Sequence, residues 1–528
     1  MLGRARDRGR TARDEGDGVT DTAPSDVQMN AGDTNAVEMN AGETNAGETN
    51  AGELPGMRSG DRAATANRPP ARATTSLRRP ARVERLRFER VQSAPPEGAG
   101  FGSIAQHMYA LMLRNIATDG FVFTALDPQN PGQVTYSRPG CVIASPSFQL
   151  NAGYVDQNYV FNWTRDAAIT MLEVAAGPQP PDAPPNPTLE EYVAFARICQ
   201  EHASDQFPLE YAKFRVDGTP REQWTTQSDG PALRTLAVLA ALPHLGPGPT
   251  VTARAVIAAD LDRLLQIYRD PTFNPWEEVR GHSFFARAAQ VRCFRAVVAA
   301  GEDGGRAAAL SAAADELEAA LATHWDGTAY RSVLDPEVSR AAYDPNADVV
   351  AACVYGSVSC TDPKLLATLG RMLRAWADPA SPLAYPINAE DRGRGFGPLL
   401  GRYPGDTYDG DMSDGVAEVG HPWPICTSNA AEVLYRLASA LAGGSALPYD
   451  ADSADFFAQL GIAQGTGSTD AQQLLRDAGD RMLRAVVFHS DHLELSEQFD
   501  RRTGFEKSVS DLTWSYAAFL SAVRARGA

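Results

Sequence analysis

From residue 101 to the end of the chain, apolar residues recur at i, i+3 and i+4 in one stretch after another. That period predicts about twelve helices, near 102–116, 165–177, 188–205, 229–243, 251–269, 282–300, 306–323, 346–356, 362–378, 427–443, 470–488 and 508–525. Local punctuation agrees at several ends. Thr188 precedes Leu-Glu-Glu and reads as an N-cap with acids in the first turn. Asp229-Gly230-Pro231 opens a helix with proline near its start, and Gly443-Gly444 closes another. Strand signals are few, the best being 121–125 and 140–144 on either side of an Asn-Pro-Gly turn. This many helices on one core predict an all-α fold, an (α/α)6 toroid of six inner and six outer helices. A solenoid would need a fixed repeat of roughly 30–50 residues, and none is visible.

The first 85 residues lack any such period. They carry the repetitive polar run MNAGDTNAVEMNAGETNAGETNAGE and then a stretch rich in Arg, Pro, Ala and Thr. Such a segment cannot offset its ordering entropy, so residues 1–85 read as a disordered tail and 86–528 as the folded domain. The start shows charge but no apolar core of a signal peptide. The expectation is therefore a cytoplasmic protein, or a secreted one if the true start lies further down.

Composition narrows the function. The 528 residues carry a formal charge of −18, which disfavours nucleic acid or an anionic membrane as partner. No apolar run is long enough for a membrane span. The six cysteines are scattered without a CxxC pair and read as buried thiols, although Cys353 and Cys360 could bridge a turn. No histidine spacing, phosphate loop or nucleophile elbow suggests a metal or cofactor, and none is expected. In 409–420, Asp409, Asp411 and Ser413 hint at a calcium loop. Gly415 is not at the sixth position, and Gly420 stands where the bidentate Glu belongs, so metal is rejected there.

The unusual residues sit in the long connections 151–164, 206–228, 270–281, 382–427 and 490–508 and at the helix starts beside them. Connections of that length are usually functional. They carry WTRD, DGP, PWEE, GRYP, HPWP and SEQFD, so tryptophan, acid and arginine recur together. Aromatic faces stack on the C–H surfaces of sugars, and carboxylates and arginine hold sugar hydroxyls. Glycoside hydrolysis needs one protonated and one ionised carboxyl on either side of the scissile bond. Glu277 and Glu278 lie beside Trp276, where desolvation and like-charge repulsion would raise one of their pKa values. The residues alone do not say which.

Five segments, YVFNWTRDAA, QSDGPALR, NPWEEVRGHSFFARAAQ, GRYPGDTY…HPWPICTSNAAEVLY and LSEQFDRRTGFEKSVSDLTWSYAAF, resemble the glucoamylases of glycoside hydrolase family 15. They follow that family's order and span the chain from about residue 100 to its end. The resemblance implies the (α/α)6 barrel independently of the helix count. It makes Glu277 the general acid, Glu497 the general base and Glu278 a ligand of sugar hydroxyls. Arg165 and Asp166 would grip the terminal glucose, Tyr159 would lie beneath its ring, and Arg402 would hold hydroxyls across the cleavage point. Trp163, Trp423 and Trp514 would line the pocket. Trp224 would lie over the sugar, although its segment is one residue shorter than the family's usual pattern and lacks an Arg. The implied activity is exo-acting, inverting hydrolysis of α-1,4 bonds of starch or maltodextrin by a monomer without a cofactor. The alternatives are a relative acting on trehalose or α-1,6 glucans, and a non-catalytic glucan-binding scaffold.

Overall fold

The computed structural model describes residues 100–126, 134–147, 158–177, 185–410 and 420–528. The expected tail, 1–85, lies outside the described residues, as do 411–419 of the loop considered for calcium. The described residues contain 14 α-helices and four small antiparallel sheets.

Six helices form a closed inner ring. They are α2 (Thr164–Ala176), α4 (Asp229–Ala241), α6 (Phe284–Ala300), α8 (Ala347–Tyr355), α11 (Pro424–Ala442) and α14 (Thr513–Gly527). Each packs on the next, and α14 returns to α2. Six outer helices lie against them: α1 (Phe101–Leu113), α3 (Pro187–Glu201), α5 (Pro247–Ile267), α7 (Ala307–Ala322), α9 (Pro363–Ala377) and α13 (Ser468–His489). The chain alternates outer and inner, which is the (α/α)6 toroid expected from the sequence.

The two rings differ in pattern for a physical reason. An outer helix has one dry stripe: α9 buries Leu365, Leu366, Leu369, Met372, Leu373 and Trp376 and leaves its other face wet. An inner helix is dry nearly all round. All nine residues of α8 are buried, and the first twelve of α11, Pro424 to Tyr435, are buried without a break. Small residues let the rings approach. Gly479 of α13 lies against Tyr435 of α11, where a Cβ would come within 2.7 Å of the ring.

All twelve predicted helices are present, and their boundaries carry the corrections. The N-cap of α3 is Asn186, not Thr188: its Oδ1 accepts from the Thr188 and Leu189 amides at 3.1 and 3.4 Å, with Pro187 in the first turn. The last helix begins at Thr513 instead of 508, because Ser508 and Asp511 hold left-handed backbone at φ 65° and 52°. Two short helices escape the periodic reading, α10 (Pro386–Gly393) and α12 (Ala454–Gln459). The first hairpin pairs β1 (Thr124–Leu126) with β2 (Val134–Tyr136); the strand expected at 140–144 supplies only a bridge from Val142 to Ile116. All six cysteines are unpaired, Cys353 and Cys360 included.

One buried ion pair ties the rings together. Arg234 of α4 donates to Asp260 of α5 through Nε at 2.9 Å and Nη2 at 2.5 Å, and Gln200 of α3 donates to the same carboxylate at 2.8 Å. Both partners are almost fully buried. Asp260→Ala would leave the guanidinium uncompensated and should destabilise the domain by about 3–5 kcal/mol. A lowered midpoint of urea unfolding checks this; an unchanged midpoint would mean that water reaches Arg234.

Candidate active site

The N-terminal ends of the inner helices gather the chemistry. β3 (Asn162–Trp163) leads straight into α2 and pairs with β4 (Lys213–Phe214), with Trp163 opposite Lys213. This register sets the Lys213 Nζ 4.0 Å from the Trp163 ring and 3.7 Å from that of Trp224. Arg165 and Asp166 fall in the first turn of α2, both buried, with 3.5 Å between their charged groups. Arg165 also donates to the Gln227 side chain at 2.9 Å and lies 5.2 Å from the Trp514 ring. Burial, opposed by Arg165, pushes the Asp166 carboxyl up to about 7.

The adjacent acids Glu277 and Glu278 are separated by a turn built on Asn274. Its Oδ1 accepts from the Glu278 and Val279 amides, each at 3.2 Å, and its carbonyl accepts from the Glu277 amide at 2.9 Å. Glu277 takes left-handed backbone at φ 63°, a strained state for a residue with a Cβ. The two side chains consequently meet different partners. Glu277 Oε1 accepts the indole N–H groups of Trp163 and Trp224, each at 3.0 Å. Burial raises its pKa, against the pull of Arg165, both indoles and Lys213. Glu278 instead accepts from Arg402 at 2.9 Å and from the Tyr403 hydroxyl at 2.7 Å.

Arg402 is the hub between the two halves of the site. Asp406 clamps its guanidinium in bidentate fashion at 2.9 and 2.7 Å, and the rings of Trp276, Tyr408 and Trp423 lie within 5.6 Å of it. Trp276 in turn packs on Trp423 and Trp514, closing an aromatic wall.

Glu497 sits just before β8 (Gln498–Phe499), which pairs with β9 (Glu506–Lys507). This hairpin returns Ser508 to the Glu497 carboxylate. Three hydroxyls donate to it: Tyr159 to Oε1 at 2.9 Å, and Tyr408 at 3.0 Å and Ser508 to Oε2. Burial raises this carboxyl too, and the three donors oppose the rise. Tyr159 also packs on Trp163 at 5.5 Å. Glu277 and Glu497 thus hang from opposite ends of one Trp163–Tyr159 pair.

Every residue singled out in the sequence enters this one network: Tyr159, Trp163, Arg165, Asp166, Trp224, Glu277, Glu278, Arg402, Trp423, Glu497 and Trp514. Despite its shortened segment, Trp224 reaches Glu277. Sequence reasoning missed Lys213, Tyr403, Asp406, Tyr408 and Ser508. Tyr403, Asp406 and Tyr408 lay within the quoted GRYPGDTY run and Ser508 within the quoted LSEQFDRRTGFEKSVSDLTWSYAAF run, whereas Lys213 carried no local signal. Asp409, considered for calcium, pairs with Lys507 Nζ at 2.8 Å, and His421 Nε2 lies 3.4 Å from it. Among the described residues no cluster of three or more His, Cys, Asp or Glu could hold a metal.

Comparison with known proteins places this architecture. The family model for glycosyl hydrolases family 15 matches residues 129–524. The chain belongs to that family. A probable glucoamylase of Schizosaccharomyces pombe is 30% identical over 412 residues, covering 74% of this chain and 85% of the relative. A glucoamylase of Saccharomycopsis fibuligera is 28% identical, covering 75% and 86%. Among solved structures, a Saccharomycopsis fibuligera glucoamylase superposes with a TM-score of 0.64 at 24% identity, covering 81% of this chain and 96% of that one. A family 15 glucoamylase from Hypocrea jecorina gives 0.66 at 24% identity, covering 81% and 72%. This family 15 protein is a glycoside hydrolase.

Ser508→Ala removes one of three donors to the Glu497 carboxylate. A hydrogen bond to an ionised carboxylate is worth about 1.5–3 kcal/mol, so the Glu497 pKa should rise by roughly 1–2 units. Titration of the labelled glutamate carbons by NMR reads the shift; a fall in the pKa would overturn this account of the hydroxyl cradle.

Proposed function

We propose that this hydrolase removes single glucose units from the non-reducing ends of starch-like α-1,4-glucans, with inversion. The observation that carries the reading is the division of labour among the three glutamates. Glu278 is paired with a guanidinium and a phenol, an environment for a fixed carboxylate that binds hydroxyls. Glu277, its neighbour in sequence, has both of its indole bonds on Oε1, which leaves Oε2 to carry a proton. Glu497 receives hydroxyl donors on both oxygens, an environment that favours its ionised form.

In this reading, Glu277 gives its proton to the glycosidic oxygen as the bond to the anomeric carbon breaks. Glu497 takes a proton from water, whose oxygen bonds that carbon from the opposite face. The enzyme is left with Glu277 ionised and Glu497 protonated, and exchange with solvent restores both. A pocket for one sugar is supported by buried polar atoms of the network without a hydrogen-bond partner: Arg165 Nε, Asp166 Oδ2 and the indole nitrogens of Trp423 and Trp514. Groups of this kind are costly to leave unpaired, and the hydroxyls of one terminal glucose would complete them. The glucoamylase relatives support an α-glucan as the substrate class.

The deciding experiment follows glucose release from maltose, maltoheptaose, isomaltose and trehalose by proton NMR before mutarotation. Maltose and maltoheptaose should be cleaved fastest, with β-glucose appearing first. Preference for trehalose or isomaltose would move the enzyme to another linkage. Release from none of the four would favour a scaffold, and α-glucose first would overturn inversion.

Glu277→Gln should lower kcat by about 10²–10⁴ while maltose binding largely survives. Glu278→Gln should weaken binding more than Glu277→Gln does. Near-normal turnover in Glu277→Gln, or equal binding in both variants, would reject the assignment.

A further inference from the structure

At the opposite end of the ring, where the inner helices finish, lies a cavity of about 240 Å³. All six inner helices line it. Its walls are partly aliphatic, from Leu172, Ala175, Ala176 and Ala240, and partly charged, from Arg292, Arg436, Arg524 and the acid Glu173. None of these residues takes part in the network around Glu277 and Glu497.

The charges do not cancel. Arg524 forms a bidentate pair with Glu173, and Arg436 pairs with Glu432. Those are the acids among the groups that face the three guanidiniums. Arg292 has no carboxylate partner among the described residues; its side chain donates only to the Val354 carbonyl, through Nη1 at 2.8 Å. One positive charge is left over. The Arg292 pKa is correspondingly depressed, first by burial and then by Arg436. The hydroxyl of Tyr355, another lining residue, is buried without a hydrogen-bond partner. Glu173, Glu432, Arg436 and Arg524 are the charges that act on it.

Capping explains part of this arrangement. Arg292 and Arg436 both donate to the last carbonyls of α8, at Cys353 and Val354, as cations do at helix C-termini. Capping does not require a third arginine, an uncompensated charge and a cavity between them. We propose that this cavity binds a small oxyanion, a phosphate or a carboxylate group, between Arg292, Arg436 and Arg524. Arg292 bonds the Val354 carbonyl through Nη1 alone, which leaves its Nε and Nη2 as paired donors that match both groups, while Arg436 and Arg524 stay on Glu432 and Glu173; the aliphatic wall suits a short carbon skeleton on the ligand. Arg436 and Arg524 are partly exposed, so the site opens to solvent.

Calorimetric titration of the full chain at pH 7 tests this, with sodium phosphate and sodium succinate as probes and sodium chloride at matched ionic strength as reference. Saturable one-site binding of at least one probe is expected, and which one binds tells phosphate from carboxylate. Arg292→Gln should weaken it by about tenfold or more. Arg292→Lys keeps the charge but loses the fork, and serves where the glutamine variant does not fold; it should also bind more weakly. No saturable heat above chloride, or unchanged affinity in the folded Arg292 variants, would overturn the proposal. So would binding that survives in them but disappears in Arg165→Leu, since that anion would sit in the sugar pocket.

Discussion

All six inner helices start at the same end of the ring, and the rest of the molecule follows from that parallel alignment. A helix start leaves amide N–H groups without intrahelical partners and carries a positive partial charge. Six such starts around one axis make a dry environment where several acids can be buried close together. Asp166, Asp229 and Asp348 lie in first turns of inner helices, and Glu277 and Glu497 lie in the connections leading into α6 and α14. The opposite end gathers carbonyls and negative partial charge, and there the chain places Arg292, Arg436 and Arg524. Each end pairs its charges: Arg165 and Arg402 lie among the acids at the helix starts, and Glu173 and Glu432 lie among the arginines at the helix ends.

Within the entrance, donors decide what each acid becomes. Desolvation alone raises every buried carboxyl, so burial cannot distinguish Glu277 from Glu497. The partners differ instead. Indole N–H groups hold one oxygen of Glu277, hydroxyls hold both oxygens of Glu497, and a guanidinium takes Glu278. These partners are fixed by further contacts: Lys213 lies against both indoles that hold Glu277, and Asp406 clamps the arginine that holds Glu278. The strained backbone at Glu277 sends two consecutive side chains to different partners, and the Asn274 side chain stabilises the turn that imposes it.

The twelve long helices were legible in the sequence because a helix buried on one stripe or on all sides leaves a period of apolar residues whatever its neighbours are. The short helices at 386–393 and 454–459 were not, since about two turns carry too few positions to show a period. The site was legible as a set of residue types: tryptophan, arginine and acid in long connections, in an order that resembles one family. Asn186 was passed over as a cap because Thr188 satisfied the same local rule, and the three residues of β2 are too few to show an alternation.

The sequence by itself therefore determined the alternation of helices and the short list of acids. The different partners of Glu277 and Glu278 belonged to the tertiary structure. Two neighbours in a chain share the same local pattern, and only the backbone turn and the partners it reaches tell them apart. Lys213 and Ser508 belong to the same class. The first meets Trp163 through a strand register, and the second meets Glu497 through a hairpin. Register is a relation between segments, and no single stretch of sequence contains it.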